Sequence, residues 1–290
     1  RFDMIGGLGH PWLKGHTPHL DRLIARGVHF RNPFVTTSLC SPSRASVLTS
    51  RYMHAHGITD NFTPLNPSLP TFPRLLQDSG YRTGYFGKWH MGGEGDEPQP
   101  GFHEWLSFRG QGEYLNAEVN RNRVRSKRPG FLTEVLTNEA CAFISANKSR
   151  PFCLYLSHKA VHSPFQPLDR HVGLFRDLRA PRPETMNYRE EFYEQWPEWV
   201  RRRRLTRHGV DGRLGTDEPF DDLYRKYCQC LLGIDEGVGQ VLAELERHKL
   251  LEDTLVIYMG DNGYMWGEHG LIDKRAMYES SIRIPLIAHC

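Results

Sequence analysis

The 290-residue sequence predicts an α/β fold, a mostly parallel central sheet with helices on both faces. Three observations carry this expectation. Helical patterns alternate along the chain with short, unbroken apolar runs, the pattern of strands covered on both sides. Hydrophobic residues make up 39% of the chain, enough for a core of that kind. Polar clusters recur directly after the apolar runs, where the carboxyl ends of parallel strands gather functional groups.

The elements follow in order. Thr17 before Pro18 is an N-cap with proline at the first helical position, and the helix over 18–26 stops at Gly27. Leu20, Leu23 and Ile24 share its inner face. Residues 41–48 read as a loop entering a second helix, and a third over 72–78 stops at Gly80. Residues 81–87 read as a strand and 88–92 as the loop after it. From 94 to 130 the sequence is polar, rich in glycine and charge, and weakly periodic. Leu132, Val135, Leu136, Phe143 and Ile144 form a helical stripe, followed by a strand over 152–156. Residues 169–220 have little periodicity and read as an inserted excursion. The series from Tyr224 to Leu245 is the longest helix pattern. The apolar run 255–259 ends at Gly260-Asp261-Asn262-Gly263, and a last run over 284–288 closes the chain.

Composition excludes several classes. A formal charge of +3 lacks the basic excess of a dedicated nucleic-acid binder. No apolar run approaches the ~20 residues that span a bilayer. Six cysteines without a CxxC pair are not a disulfide scaffold, and most read as buried thiols. The length alone allows one or two domains. Asn61-Phe62-Thr63 and Asn147-Lys148-Ser149 fit the glycosylation pattern, but two matches at this length are near chance.

Four clusters carry chemistry. Cys40-Ser41-Pro42-Ser43-Arg44 places a nucleophile-type residue before a helix N-terminus, whose amides hold anions. Arg44 there can fork onto two oxygens, and a thiol so placed has a lowered pKa. The same residues equally describe a buried cysteine beside a cap. Gly87-Lys88-Trp89-His90 sets a cation and an imidazole two residues apart after a strand, as an anionic ester site requires; a solvated loop would explain them too. His162, followed by Pro164, reads as part of an extended, exposed loop. Asp261 and Asn262 offer hard-cation oxygens suited to Ca²⁺ or Mg²⁺, or else an Asn-Gly turn. Lys274 lies in a charged turn.

In this order the motifs resemble the sulfatase family of the alkaline-phosphatase-like superfamily. The resemblance begins at Thr17-Pro18-His19-Leu20-Asp21-Arg22-Leu23 and passes through Cys40-Ser41-Pro42-Ser43-Arg44, similar to the family's C-x-P-S-R signature. It continues in Gly80-Tyr81-Arg82-Thr83, Gly87-Lys88-Trp89-His90 and His162-Ser163-Pro164-Phe165. It ends in Gly260-Asp261-Asn262-Gly263 and in Asp273-Lys274 through Pro285. Everything but about 94–130 and 169–220 is covered, so residues 1–290 are expected to be one catalytic domain with two variable insertions.

The resemblance implies a sulfuric ester hydrolase whose Cys40 is oxidised to Cα-formylglycine by a formylglycine-generating enzyme. A hydrated aldehyde has two hydroxyls, so one can attack sulfur and the other can then collapse to expel sulfate. It further implies calcium, in preference to magnesium, held by residue 40, Asp261 and Asn262. Arg44 and Lys88 would orient the diol, His90 would handle its proton, and His162 and Lys274 would contact the sulfate. The family also uses two adjacent aspartates ending the first strand. This sequence opens at Arg1-Phe2-Asp3, and Asp3 is expected to fall after that pair. A chain lacking the first strand, two metal ligands and the C-terminal subdomain is therefore expected, with poor calcium binding. The basic segments 121–128 and 201–204 with Arg207 could steer a sulfated small molecule or glycan, or be solvated charge. A phosphonate or phosphate ester hydrolase on the same scaffold, and a non-catalytic binder of sulfated glycan, are the alternatives. Family members are periplasmic, secreted or lysosomal.

Overall fold

The computed structural model describes residues 1–187, 194–213 and 219–290. Helix Pro18–Arg26 forms where the Thr17-Pro18 pair predicts, but the threonine side chain does not cap it. Thr17 Oγ1 instead accepts the Gly6 N–H at 2.8 Å and donates to Asp21 Oδ1 at 3.0 Å. The free amides are met from across the fold. Asp235, buried in the long helix Phe220–Arg247, accepts from Leu20 N at 2.8 Å and His19 N at 3.3 Å. A carboxylate there also faces the positive end of the helix dipole.

Ten strands are present among the described residues: β1 (Val28–His29), β2 (Arg82–Gly87), β3 (Glu104–Ser107), β4 (Glu118–Arg121), β5 (Val124–Lys127), β6 (Phe152–Ser157), β7 (Val256–Met259), β8 (Met265–Trp266), β9 (Ile272–Asp273) and β10 (Leu286–His289). They form a five-stranded sheet ordered β5-β4-β3-β2-β6, a three-stranded sheet β1-β10-β7 and a β8-β9 ribbon. The α/β class is as expected, and the sheets are mixed. β2 runs parallel to β3 and β6, reaching β6 through the crossover helix Leu132–Asn147. The remaining pairs are antiparallel. The turn between β4 and β5 holds Asn122 and Arg123 at φ 51° and 76°, the left-handed pair of a tight hairpin.

Alternation along β2 puts helices on both faces of the larger sheet. Phe86 points to one face and packs with Leu136, Ala140 and Phe143 of the crossover helix. Tyr85 points to the other and packs with Ala45 and Leu48 of helix Cys40–Thr49, and with Trp89 and Trp105. The polar stretch 94–130 is thus structured: it supplies β3, β4 and β5 and buries Trp105, Leu106 and Val119. The excursion over 169–220 includes the short helices Glu198–Arg204 and Val210–Arg213 within its described part. No helix among the described residues is long and apolar enough to cross a membrane.

Candidate functional site

β2 delivers the first site residues through one demanding position. Gly87 adopts φ +131°, and a Cβ there would lie 1.8 Å from the Ser157 carbonyl oxygen. Only glycine permits this approach. It lets Lys88 N donate to Ser157 O at 2.8 Å, which turns the buried Lys88 side chain inward. His90 follows with φ 65°, a strained value of the kind functional sites retain.

Cys40 is the first residue of its helix and is buried; its Sγ lies 3.8 Å from Lys88 Nζ. The next amide, Ser41 N, donates to Asn61 Oδ1 at 3.1 Å. Ser41 Oγ donates to the His90 carbonyl at 2.7 Å, tying the Cys40 helix to the loop after β2. Arg44, one turn along, donates to Asp261 Oδ2 from Nε at 3.0 Å and Nη2 at 2.8 Å. Its Nη1 donates to Lys88 O at 2.5 Å and Ser157 Oγ at 2.6 Å. One guanidinium thereby joins the helix, both parallel strand ends and the loop after β7.

The other predicted residues arrive on the same centre. Lys274 Nζ pairs with Asp273 Oδ1 at 3.1 Å, and Arg203 Nη2 fixes its backbone by donating to Lys274 O at 2.8 Å. His162 Nδ1 donates to Ser163 O at 2.7 Å, leaving Nε2 for the centre. His162 is half-buried, not exposed, because Tyr114 Oη donates to its carbonyl at 2.7 Å. Lys159, also buried, lies over the Tyr114 ring with Nζ 4.6 Å from its centroid.

These placements set the electrostatics. Burial pushes the Cys40 thiol up, but the Lys88 and Lys274 ammonium groups and hydrogen bonds with His162 and His90 hold it well below the usual range. Burial pushes Lys88 down to about 8, and lowers His90 and His162. Lys274 is raised: Cys40, Asp273 and Asp261 outweigh the opposing effect of burial. Burial opposes ionisation of Asp261, yet Arg44, Lys88 and Lys274 hold it at about 2. The arrangement suits a tetrahedral anion beside a nucleophile at position 40.

The cation expectation is testable on the residues themselves. Asn262 Oδ1 is buried without a hydrogen-bond partner, although its Nδ2 donates to Gly263 O at 2.8 Å. An orphaned carboxamide oxygen beside a carboxylate fits a hard cation. With residue 40 the set is three donors, and calcium takes six to eight oxygens. Among the described residues no group of three or more His, Cys, Asp or Glu side chains could hold a metal. Asp3 is engaged by Arg1, at 2.6 and 2.9 Å.

Two residues at the centre, Asn61 and Gln111, carry no sequence signal of that role. Asn61 reads as a glycosylation acceptor but binds the Cys40 helix; Asn147, the other match, is buried and donates to Phe143 O at 2.8 Å. Gln111 accepts from Lys88 Nζ at 2.5 Å and lies 2.9 Å from His90 Nε2. The basic segment 121–128 is largely neutralised. Arg121 pairs with Glu104 and Glu139, and Arg125 with Asp96 and Glu97. In the second segment Arg202 pairs with Glu198 and Arg204 with Asp211.

Comparison with known proteins converges on one family. An N-acetylglucosamine-6-O-sulfatase of Bacteroides thetaiotaomicron is 30% identical over 93% of this chain and 58% of its own length. A solved complex of a protein with its substrate D-glucosamine-2-N,6-O-disulfate superposes with a TM-score of 0.82 at 28% identity. It covers 99% of this chain and 68% of that one. A phosphonate monoester hydrolase from Silicibacter pomeroyi shares the fold, with a TM-score of 0.78 at 22% identity, over 96% of this chain and 64% of its own. The chain spans about half the length of the curated relatives it matches. The Sulfatase family model matches residues 1–290, the two stretches without a recognisable motif included, and the chain belongs to the sulfatase family.

Proposed function

We propose that this protein hydrolyses the sulfate monoester of a sulfated amino-sugar glycan, with an oxidised Cys40 as nucleophile. The observation that carries the reading is the convergence of Lys88, His90, His162 and Lys274 on the buried Cys40 at a helix start. The amino-sugar substrate rests on the relatives, one named an N-acetylglucosamine-6-O-sulfatase and one solved with a sulfated glucosamine. A formylglycine-generating enzyme would oxidise the thiol before the centre works.

Each side chain then has a task that its position supports. Lys88 and Lys274 offset the charge of the sulfuryl oxygens, the electrostatic contribution that dominates such sites. Arg44 holds Asp261 and the loop after β2 in register. Lys274, held charged by Cys40, Asp273 and Asp261, keeps a proton to offer the leaving oxygen, and His162 presents Nε2 to the same centre. His90 exchanges a proton with residue 40. Asp261 and Asn262, with residue 40, would hold calcium together with ligands beyond these three. A bound calcium would polarise the sulfate and favour the ionised nucleophile.

The test uses the full-length protein coexpressed with a formylglycine-generating enzyme. Peptide mass spectrometry should find Cys40 converted, and hydrolysis of glucosamine-6-sulfate and aryl sulfates should outpace that of phosphate diesters and phosphonates. An unmodified thiol, with activity unchanged in Cys40→Ala, would defeat Cys40 as the nucleophile, and hydrolysis of none of these esters would leave a glycan-binding role. Faster phosphonate or phosphodiester cleavage would assign the other ester class.

A further inference from the structure

Gln111 touches both titratable residues of the loop after β2, although it lies in the stretch with no recognisable motif. Its backbone is set by two flanking glycines, Gly110 at φ +53° and Gly112 at φ +66°. A Cβ at Gly112 would meet the Phe108 ring at 2.4 Å, and one at Gly110 the Glu94 carboxylate at 2.7 Å. The turn is therefore confined, and it aims Gln111 between Lys88 and His90. Oε1 accepts from Lys88 Nζ at 2.5 Å, and Nε2 lies 2.9 Å from His90 Nε2.

The donor and acceptor inventory makes this bridge directional. The Lys88 ammonium only donates, so the amide oxygen must face it and the amide NH₂ must face His90. An NH₂ group only donates, so His90 Nε2 must be the bare nitrogen of the ring. The ring proton of neutral His90 then sits on Nδ1. The surroundings agree: Nδ1 lies 3.4 Å from Ser41 Oγ, whose own hydrogen is committed to the His90 carbonyl, leaving its lone pairs to accept.

We infer that Gln111 is a positioning residue that fixes His90 in the Nδ1–H tautomer and holds the Lys88 ammonium toward residue 40. His90 is consequently a hydrogen-bond donor on the side of Ser41, the residue after Cys40. For Nδ1 to accept a proton there, the Gln111 amide must turn over and present its oxygen to His90 Nε2–H, which takes the acceptor away from Lys88. The two residues are thus coupled through one amide: a site with Lys88 satisfied has His90 as donor, and a site with His90 as base has Lys88 released. The consequence for turnover rests on the proposed function; the tautomer does not.

The experiment reads the tautomer directly, in ¹⁵N-histidine-labelled protein at neutral pH, with His90 assigned by its absence from a His90→Asn spectrum. Long-range proton–nitrogen correlations should show a pyrrole-type Nδ1 and a pyridine-type Nε2. Gln111→Glu keeps an acceptor for Lys88 but now accepts from His90, so the two nitrogens should exchange character. Gln111→Leu removes the constraint and should give a mixture. A pyrrole-type Nε2 in the unaltered protein, or the same pattern in Gln111→Glu, would overturn the assignment. Inactive protein with the expected spectrum would refute the proposed hydrolysis instead.

Discussion

Gly87→Ala isolates the contact that ties the sheet to the site. Gly87 has φ +131°, and the new Cβ would stand 1.8 Å from Ser157 O, so β2 and β6 must part by more than 1 Å at this point. The strained backbone costs about 1–3 kcal/mol. Parting the strands also breaks the 2.8 Å bond from Lys88 N to Ser157 O, and an orphaned buried group costs about 1–3 kcal/mol more. The expected loss is about 2–6 kcal/mol, a large share of the ~5–15 kcal/mol that holds a domain folded. Gly80→Ala is the matched control. Gly80 has φ +91° with nothing within 4 Å of a built Cβ, so only the backbone penalty of roughly 1–2 kcal/mol applies. Urea melts followed by tryptophan fluorescence suit the comparison, since Trp89 and Trp105 are buried beside β2. Equal losses in the two variants would refute the reasoning, because the clash with Ser157 would then contribute nothing.

Three further outcomes are expected. Asp235→Ala should cost about 1–3 kcal/mol in the same melts by freeing the amides of His19 and Leu20, while Asp235→Asn, which keeps a carbonyl oxygen, should cost less. His10 is held at about 4, against an ordinary 6.5, because burial disfavours its charge; its Nδ1 accepts from Leu13 N at 3.3 Å. The unfolded chain takes up this proton first, so its contribution is present above pH 6.5 and lost as pH falls to about 4. That amounts to about 3 kcal/mol, and a His10→Gln variant should show a correspondingly flatter decline of Tm across the window. Calorimetry on this chain should find calcium binding weaker than micromolar, since three donors fall short of a full calcium shell. Tighter binding that survives Asn262→Leu would remove Asn262 from the ligand set.

What the sequence disclosed depended on whether a residue's role was local. Helix 18–26 follows from proline at its first position and the spacing of Leu20 and Leu23, both properties of neighbouring residues. The motif residues were legible because lysine, histidine and aspartate at strand ends have few bland explanations in combination. β3, β4 and β5 were not, since each is four residues long and β5 is exposed throughout, leaving no apolar run to mark it. Their hairpin turn, Asn122-Arg123, lacks the Asn-Gly pair that advertises such a turn. Asn61 and Gln111 were hidden for a different reason. A carboxamide has no charge and suits many surroundings, so its meaning comes from what faces it: Ser41 N for Asn61, and Lys88 with His90 for Gln111. Charged residues announce where this site is, while neutral amides supplied by distant stretches decide how its protons are arranged. Stretches that look variable by composition can therefore hold residues on which the legible ones depend, and 94–130 does so through one glutamine between two glycines.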